Sequence, residues 1–89
     1  MKKVAIIEDH TAVRDMVAQI VRTMDGWEIV TESGDGRKAL DECMETQPDF
    51  IILDIMLPGL NGAEILRRLR KHLPEVHVLV FSGYQDAML

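Results

Sequence analysis

Cysteine is nearly absent from this 89-residue sequence. Cys43 stands alone and can form no internal disulfide, which excludes the cross-linked scaffold of a small secreted domain and fits a reducing compartment. No apolar stretch is long enough to span a bilayer. Lys2-Lys3 followed by Val4-Ala5-Ile6-Ile7 has the charge order of a signal peptide, but Glu8-Asp9-His10 cuts the run far short of a hydrophobic region. Excess positive charge is lacking too. A net charge of −5 argues against a nucleic-acid surface, which needs a basic stripe. Repeats, low-complexity tracts and an internal linker are also missing. What remains is one small domain, residues 1–89, with 47% hydrophobic and 28% charged residues. We expect it in the cytoplasm, away from membranes.

Strand and helix patterns alternate from end to end. Val4 to Ile7 is a short run, apolar on both faces, as suits a central parallel strand. Val13, Met16, Val17, Ile20, Val21 and Met24 recur at three- and four-residue steps and predict one buried helix face, with the helix capped near Thr11. Asp25-Gly26 stops that helix, glycine suiting the left-handed C′ position. Trp27 to Glu32 alternates as a strand nearer an edge would. Gly34-Asp35-Gly36 is a turn, and Asp35 is placed to cap a helix over about Arg37 to Glu45, with Ala39, Leu40, Cys43 and Met44 inward.

Pro48 breaks that helix, and Phe50 to Leu53 is a third strand. After the Pro58-Gly59 turn, Asn61 with Glu64 three residues later reads as a helix N-cap. Ile65, Leu66, Leu69 and Leu73 face the core behind it. Pro74 ends the helix, and Val76 to Phe81 is a fourth strand. This βαβαβαβ order predicts an α/β fold, with a parallel sheet, right-handed crossovers and helices on both faces.

In such a sheet the carboxyl ends of neighbouring strands share one edge, where ligands bind. Glu8 and Asp9 follow the first strand, Asp54 the third and Ser82 the fourth. If the first and third strands are neighbours, three carboxylates converge. Two unit charges ~4 Å apart repel by about 4 kcal/mol at an effective dielectric of 20, so such a group needs either a cation or raised pKa values. Mg²⁺ suits it, taking carboxylate, backbone, water and phosphate oxygens. A carboxylate such as Asp54 can then attack phosphorus, with Ser82 hydrogen-bonding a phosphoryl oxygen and Gly83 leaving room for the donor. Carboxylates at strand ends also commonly cap the next helix, and any one of these alone reads as structural. Their coincidence at three strand ends points to function.

Other residues carry less. His10 reads as an exposed helix-start residue rather than a ligand, and with His72 and His77 gives no zinc spacing. Met16, Met24 and Met44 read as core packing, and Cys43 as a small core residue. Arg67, Arg68, Arg70 and Lys71 read as a solvated face. Tyr84 stands near the expected site mouth.

The runs Val4-Ala5-Ile6-Ile7-Glu8-Asp9-His10, Ile51-Ile52-Leu53-Asp54-Ile55-Met56-Leu57-Pro58-Gly59-Leu60-Asn61-Gly62 and Val78-Leu79-Val80-Phe81-Ser82-Gly83 resemble the receiver domain of two-component response regulators. His10-Thr11-Ala12-Val13-Arg14 with Gly34-Asp35-Gly36 looks most like receivers joined to helix-turn-helix transcription factors, although no output domain is present. The resemblance implies a flavodoxin-like doubly wound sheet in strand order 2-1-3-4. It implies Asp54 as phosphoacceptor, Asp9 as a direct Mg²⁺ ligand, Glu8 as a ligand through water, the Met56 carbonyl as a further ligand and Ser82 as the switch hydroxyl. The donor it implies is a phosphohistidine on a sensor histidine kinase or phosphotransfer protein. Such a module is no enzyme beyond its own phosphoryl transfer and dephosphorylation. A phosphatase or phosphotransferase is disfavoured, because no second acid stands two residues after Asp54.

The sequence departs from that family at its end. The family's fifth strand, with its lysine and aromatic switch residue, and its last two helices are missing, and Lys2, Lys3, Lys38 and Lys71 are misplaced to substitute. A phosphoryl group near −2 with Glu8 and Asp9 gives about −4, and Mg²⁺ brings it to about −2. The expectation is weakened phosphorylation. An uncovered fourth strand implies either that these residues come from a longer protein or that they pair through that edge as a homo-oligomer or swapped assembly. The competing reading is therefore an unphosphorylated, receiver-like interaction module assembled through that edge.

Overall fold

A computed structural model describes residues 1–55, 57 and 61–81. Its elements are β1 (Lys2–Ile7), α1 (Thr11–Arg22), β2 (Trp27–Ser33), α2 (Gly36–Thr46), β3 (Phe50–Asp54), α3 (Gly62–His72) and β4 (His77–Phe81). All strand pairs are parallel and the sheet order is β2-β1-β3-β4. The expected architecture is therefore present, with β2 and β4 as the edges of the described sheet.

Side chains alternate across the sheet with the strand period of two. Ala5 and Ile7 of β1 and Ile51 and Leu53 of β3 face one layer, where Ala39, Leu40 and Cys43 of α2 and Ile65 and Leu69 of α3 cover them. Val4 and Ile6 face the other layer beneath Ala18 and Val21 of α1. Two helices thus close one face, while α1 is the one described helix on the other.

The local stops work largely as the residue types dictate. Asp35 accepts hydrogen bonds from Arg37 N (2.9 Å) and Lys38 N (3.0 Å) at the start of α2. Asn61 accepts from Glu64 N (2.9 Å) at the start of α3. Gln47 ends α2 in the left-handed region at φ 50°, just ahead of Pro48.

Three expectations need correction. The N-cap of α1 is His10, whose side chain makes no capping bond, and Thr11 is the first helical residue. Gly26 does adopt a positive φ of 86°, but α1 already ends at the Thr23 C-cap, so Gly26 serves the turn into β2. The third concerns the buried face of α1. Met16, Ile20 and Met24 are 55%, 57% and 41% exposed, whereas Ala18 and Val21 are buried. At 100° per residue the buried face lies roughly a quarter-turn from the middle of the apolar arc. The helix seats its small Ala18 against the sheet, and its longer apolar side chains overhang. With Leu79 of β4, which is 54% exposed, Ile20 and Met24 border an apolar groove that reaches down to Phe50 and Ile52.

Candidate functional site

The strand register brings the acidic residues level. Ile7 pairs with Leu53 across β1 and β3, so Glu8 and Asp54 follow at the same height. Phe81 pairs with Asp54 across β3 and β4, and Ile55 N donates to Phe81 O (2.9 Å). Asp54 and Glu8 are completely buried, and Asp9 is partly exposed. Ligand atoms of Glu8, Asp9, His10 and Asp54 all lie within 4.8 Å of one another. Ser82, Tyr84 and Met56 lie outside the described residues.

The chain immediately after β1 is tightly held. Glu8 N donates to Ser33 O at the end of β2 (2.9 Å), and His10 N donates to Glu8 Oε2 (2.8 Å). His10 Nδ1 sits 3.2 Å from the same oxygen and 3.6 Å from Asp9 Oδ1. His10 is exposed, as its sequence position suggests, yet it borders the acidic cluster. Glu8 Oε1 is buried and has no hydrogen-bond donor among the described residues.

A buried carboxylate oxygen without a donor is costly, and three neighbouring carboxylates repel. Both features, and the predominance of hard oxygen donors, fit a divalent cation such as Mg²⁺. The lysines are elsewhere. Lys3 Nζ donates to Thr46 O (2.8 Å), tying the start of β1 to the end of α2, and Lys71 is exposed on α3.

Sequence reading missed two residues beside the cluster. The Arg14 guanidinium donates from Nη1 to Glu8 O (2.7 Å). Gly34 packs so closely on this pair that a Cβ there would meet Arg14 Nη1 at 2.8 Å and Asp9 Cα at 3.1 Å. A glycine within a Gly-Asp-Gly turn signals only a turn, so this close approach had no separate signature in the sequence. Among the basic residues of α3, Arg67 and Arg68 pair with Glu64, and Arg70 Nη1 donates to Val76 O (2.6 Å).

The response regulator receiver domain matches residues 4–89. The chain is similar to the response regulator GacA of Pseudomonas syringae pv. syringae, at 29% identity over 86 residues, covering 97% of this chain and 40% of that protein. It is also similar to the transcriptional regulatory protein DegU of Brevibacillus brevis, at 36% identity over 84 residues, covering 94% of this chain and 36% of that protein. Among solved structures, the response regulator domain of Thermotoga maritima CheB superposes with a TM-score of 0.86 at 27% identity, covering 99% of this chain and 69% of that one. A LuxR-family DNA-binding response regulator from Staphylococcus aureus gives a TM-score of 0.86 at 27% identity, covering 96% and 71%. The chain thus spans about 40% of the length of the first of these curated relatives.

Proposed function

Because the chain belongs to the response regulator receiver family, we propose that it is the phosphoacceptor module of a cytoplasmic two-component phosphorelay, with Asp54 as the acceptor. The supporting observation is the convergence of Glu8, Asp9 and Asp54 within 4.8 Å at the carboxyl edge of the sheet. Asp9 and Asp54 would hold Mg²⁺ directly, Glu8 through water, with the Met56 carbonyl as a further ligand. Bound there, the ion supplies charge neutralisation for the incoming phosphoryl group.

The residues of this chain do the rest. Burial of Asp54 at the end of β3 fixes the direction of its carboxylate and excludes bulk water. One carboxylate oxygen forms a bond to phosphorus as the bond from phosphorus to the donor breaks. For a phosphohistidine donor on a sensor kinase or phosphotransfer protein, the imidazole leaves with the electron pair and then takes a proton. Ser82 is assigned the hydrogen bond to a phosphoryl oxygen. DegU of Brevibacillus brevis is named a transcriptional regulatory protein, and a transcriptional output is proposed for the signal here.

The test is intact mass after incubation with Mg²⁺ and acetyl phosphate, with Asp54→Asn as control. A single phosphoryl adduct absent from the variant supports the reading. A folded sample that gains none would shift the argument to the interaction-module reading, which the family match disfavours.

A further inference from the structure

The Glu8 backbone is held on both sides. Its N–H goes to Ser33 O at 2.9 Å, and its C=O receives Arg14 Nη1 at 2.7 Å. The first bond belongs to the run of the sheet. The second spans from the first turn of α1 back to the end of β1, and it uses a charged donor, the stronger kind of hydrogen bond. Fixing the peptide units on either side of Glu8 fixes the directions in which the Glu8 and Asp9 side chains leave the backbone. The space for the guanidinium exists because residue 34 has no side chain: a Cβ there would stand 2.8 Å from Arg14 Nη1.

We infer that Arg14, seated by Gly34, is a positioning residue of the acidic site, locking the Glu8 peptide so that Glu8 and Asp9 face the cation. This inference rests on the metal-binding reading above. It also places a guanidinium charge on the acidic loop beside Glu8 and Asp9.

Gly34 allows the latch to be opened from the opposite side. The atom a methyl group would strike first is the far end of a flexible side chain, so Arg14 can swing away at little cost to the fold. The next contact, Asp9 Cα at 3.1 Å, needs a yield of only a few tenths of an ångström. Gly34→Ala should therefore fold, yet lose the bond to Glu8 O.

The experiment measures Mn²⁺ affinity by electron paramagnetic resonance on the 89-residue chain, with thermal melting of the metal-free protein as the folding control. Outer-shell partners of metal ligands typically account for about 10- to 100-fold in affinity. Arg14→Met and Gly34→Ala are each expected to weaken Mn²⁺ at least about ten-fold, and Arg14→Lys to recover part of the loss. The double variant should bind no worse than the weaker single one, because both remove one latch. If Arg14→Met does not fold, Gly34→Ala and Arg14→Lys carry the test. Wild-type binding with variants unmoved within about two-fold, or losses that simply add, overturns the latch alone. Failure of the wild type to bind Mn²⁺ overturns the metal reading, and the latch with it.

Discussion

Replacing Gly62 with alanine should destabilise the protein, although alanine is the better helix former. Gly62 opens α3, and its N–H donates to Ile55 O at 3.1 Å, one residue beyond Asp54. A Cβ on Gly62 would lie 2.7 Å from Ile55 O, 2.8 Å from Ile55 C and closer still to Ile55 Cα. Every atom in its way is backbone, so no side chain can rotate aside. Overpacking of this kind costs about 1–3 kcal/mol, and losing the hydrogen bond adds about 1 kcal/mol. Against this, alanine recovers up to about 1 kcal/mol of helix propensity and unfolded-state entropy. The balance is about 2 kcal/mol of destabilisation, which lowers the melting temperature of a domain this size by about 10 °C. Urea and thermal melts of Gly62→Ala beside wild type measure it. Because Ile55 follows Asp54, the acidic site should loosen as well. A variant at or above wild-type stability would refute the reasoning, since it would mean that α3 and the chain after β3 are not in backbone contact.

Four further outcomes are expected. Asp35→Ala removes the acceptor for two N–H groups at the start of α2 and should cost about 1 kcal/mol in a urea titration, without changing the slope. Burial, and then the neighbouring Glu42 charge, push the Cys43 thiol up to about 12 from 9.0, so thiol reagents at pH 8 should label it only after unfolding. Its raised pKa also means that the buried neutral thiol favours the fold below pH 9 and loses that contribution as pH rises from 9 toward about 12. Hydrogen bonds from Arg67, then Arg68, hold the Glu64 carboxyl down at about 2 from 4.5. That folded-state depression favours the fold above pH 4.5 and is lost as pH falls toward about 2. The stability gap between wild type and Glu64→Gln should close over that window, and be smaller in salt because the pair is exposed. Finally, Ile20→Lys and Leu79→Lys should each change stability by less than about 0.5 kcal/mol, because both side chains are already exposed. Binding of a hydrophobic dye should fall in both, and a large loss of stability would show that the groove is a closed core.

The order of elements, the caps at Asp35 and Asn61, and the residue types that gather at the carboxyl edge are all written in local stretches of sequence. These follow from local rules: period-two and three-to-four-residue repeats, and short polar side chains that satisfy free N–H groups. Acidic residues at strand ends were legible for the same reason, since parallel strands deliver their ends to one edge. Which side of α1 is buried was not legible. An apolar stripe says which residues are able to leave water, but the sheet area beneath the helix decides which do, and here Ala18 and Val21 take it while Met16, Ile20 and Met24 overhang. His10 at the edge of the acidic cluster, Arg14 on Glu8 O, and the close packing at Gly34 and Gly62 were also decided only in three dimensions. Those contacts join β1 to α1 and to the end of β2, and β3 to α3. Their distances are fixed by how the layers pack, a property of the whole sheet that no local stretch of sequence contains.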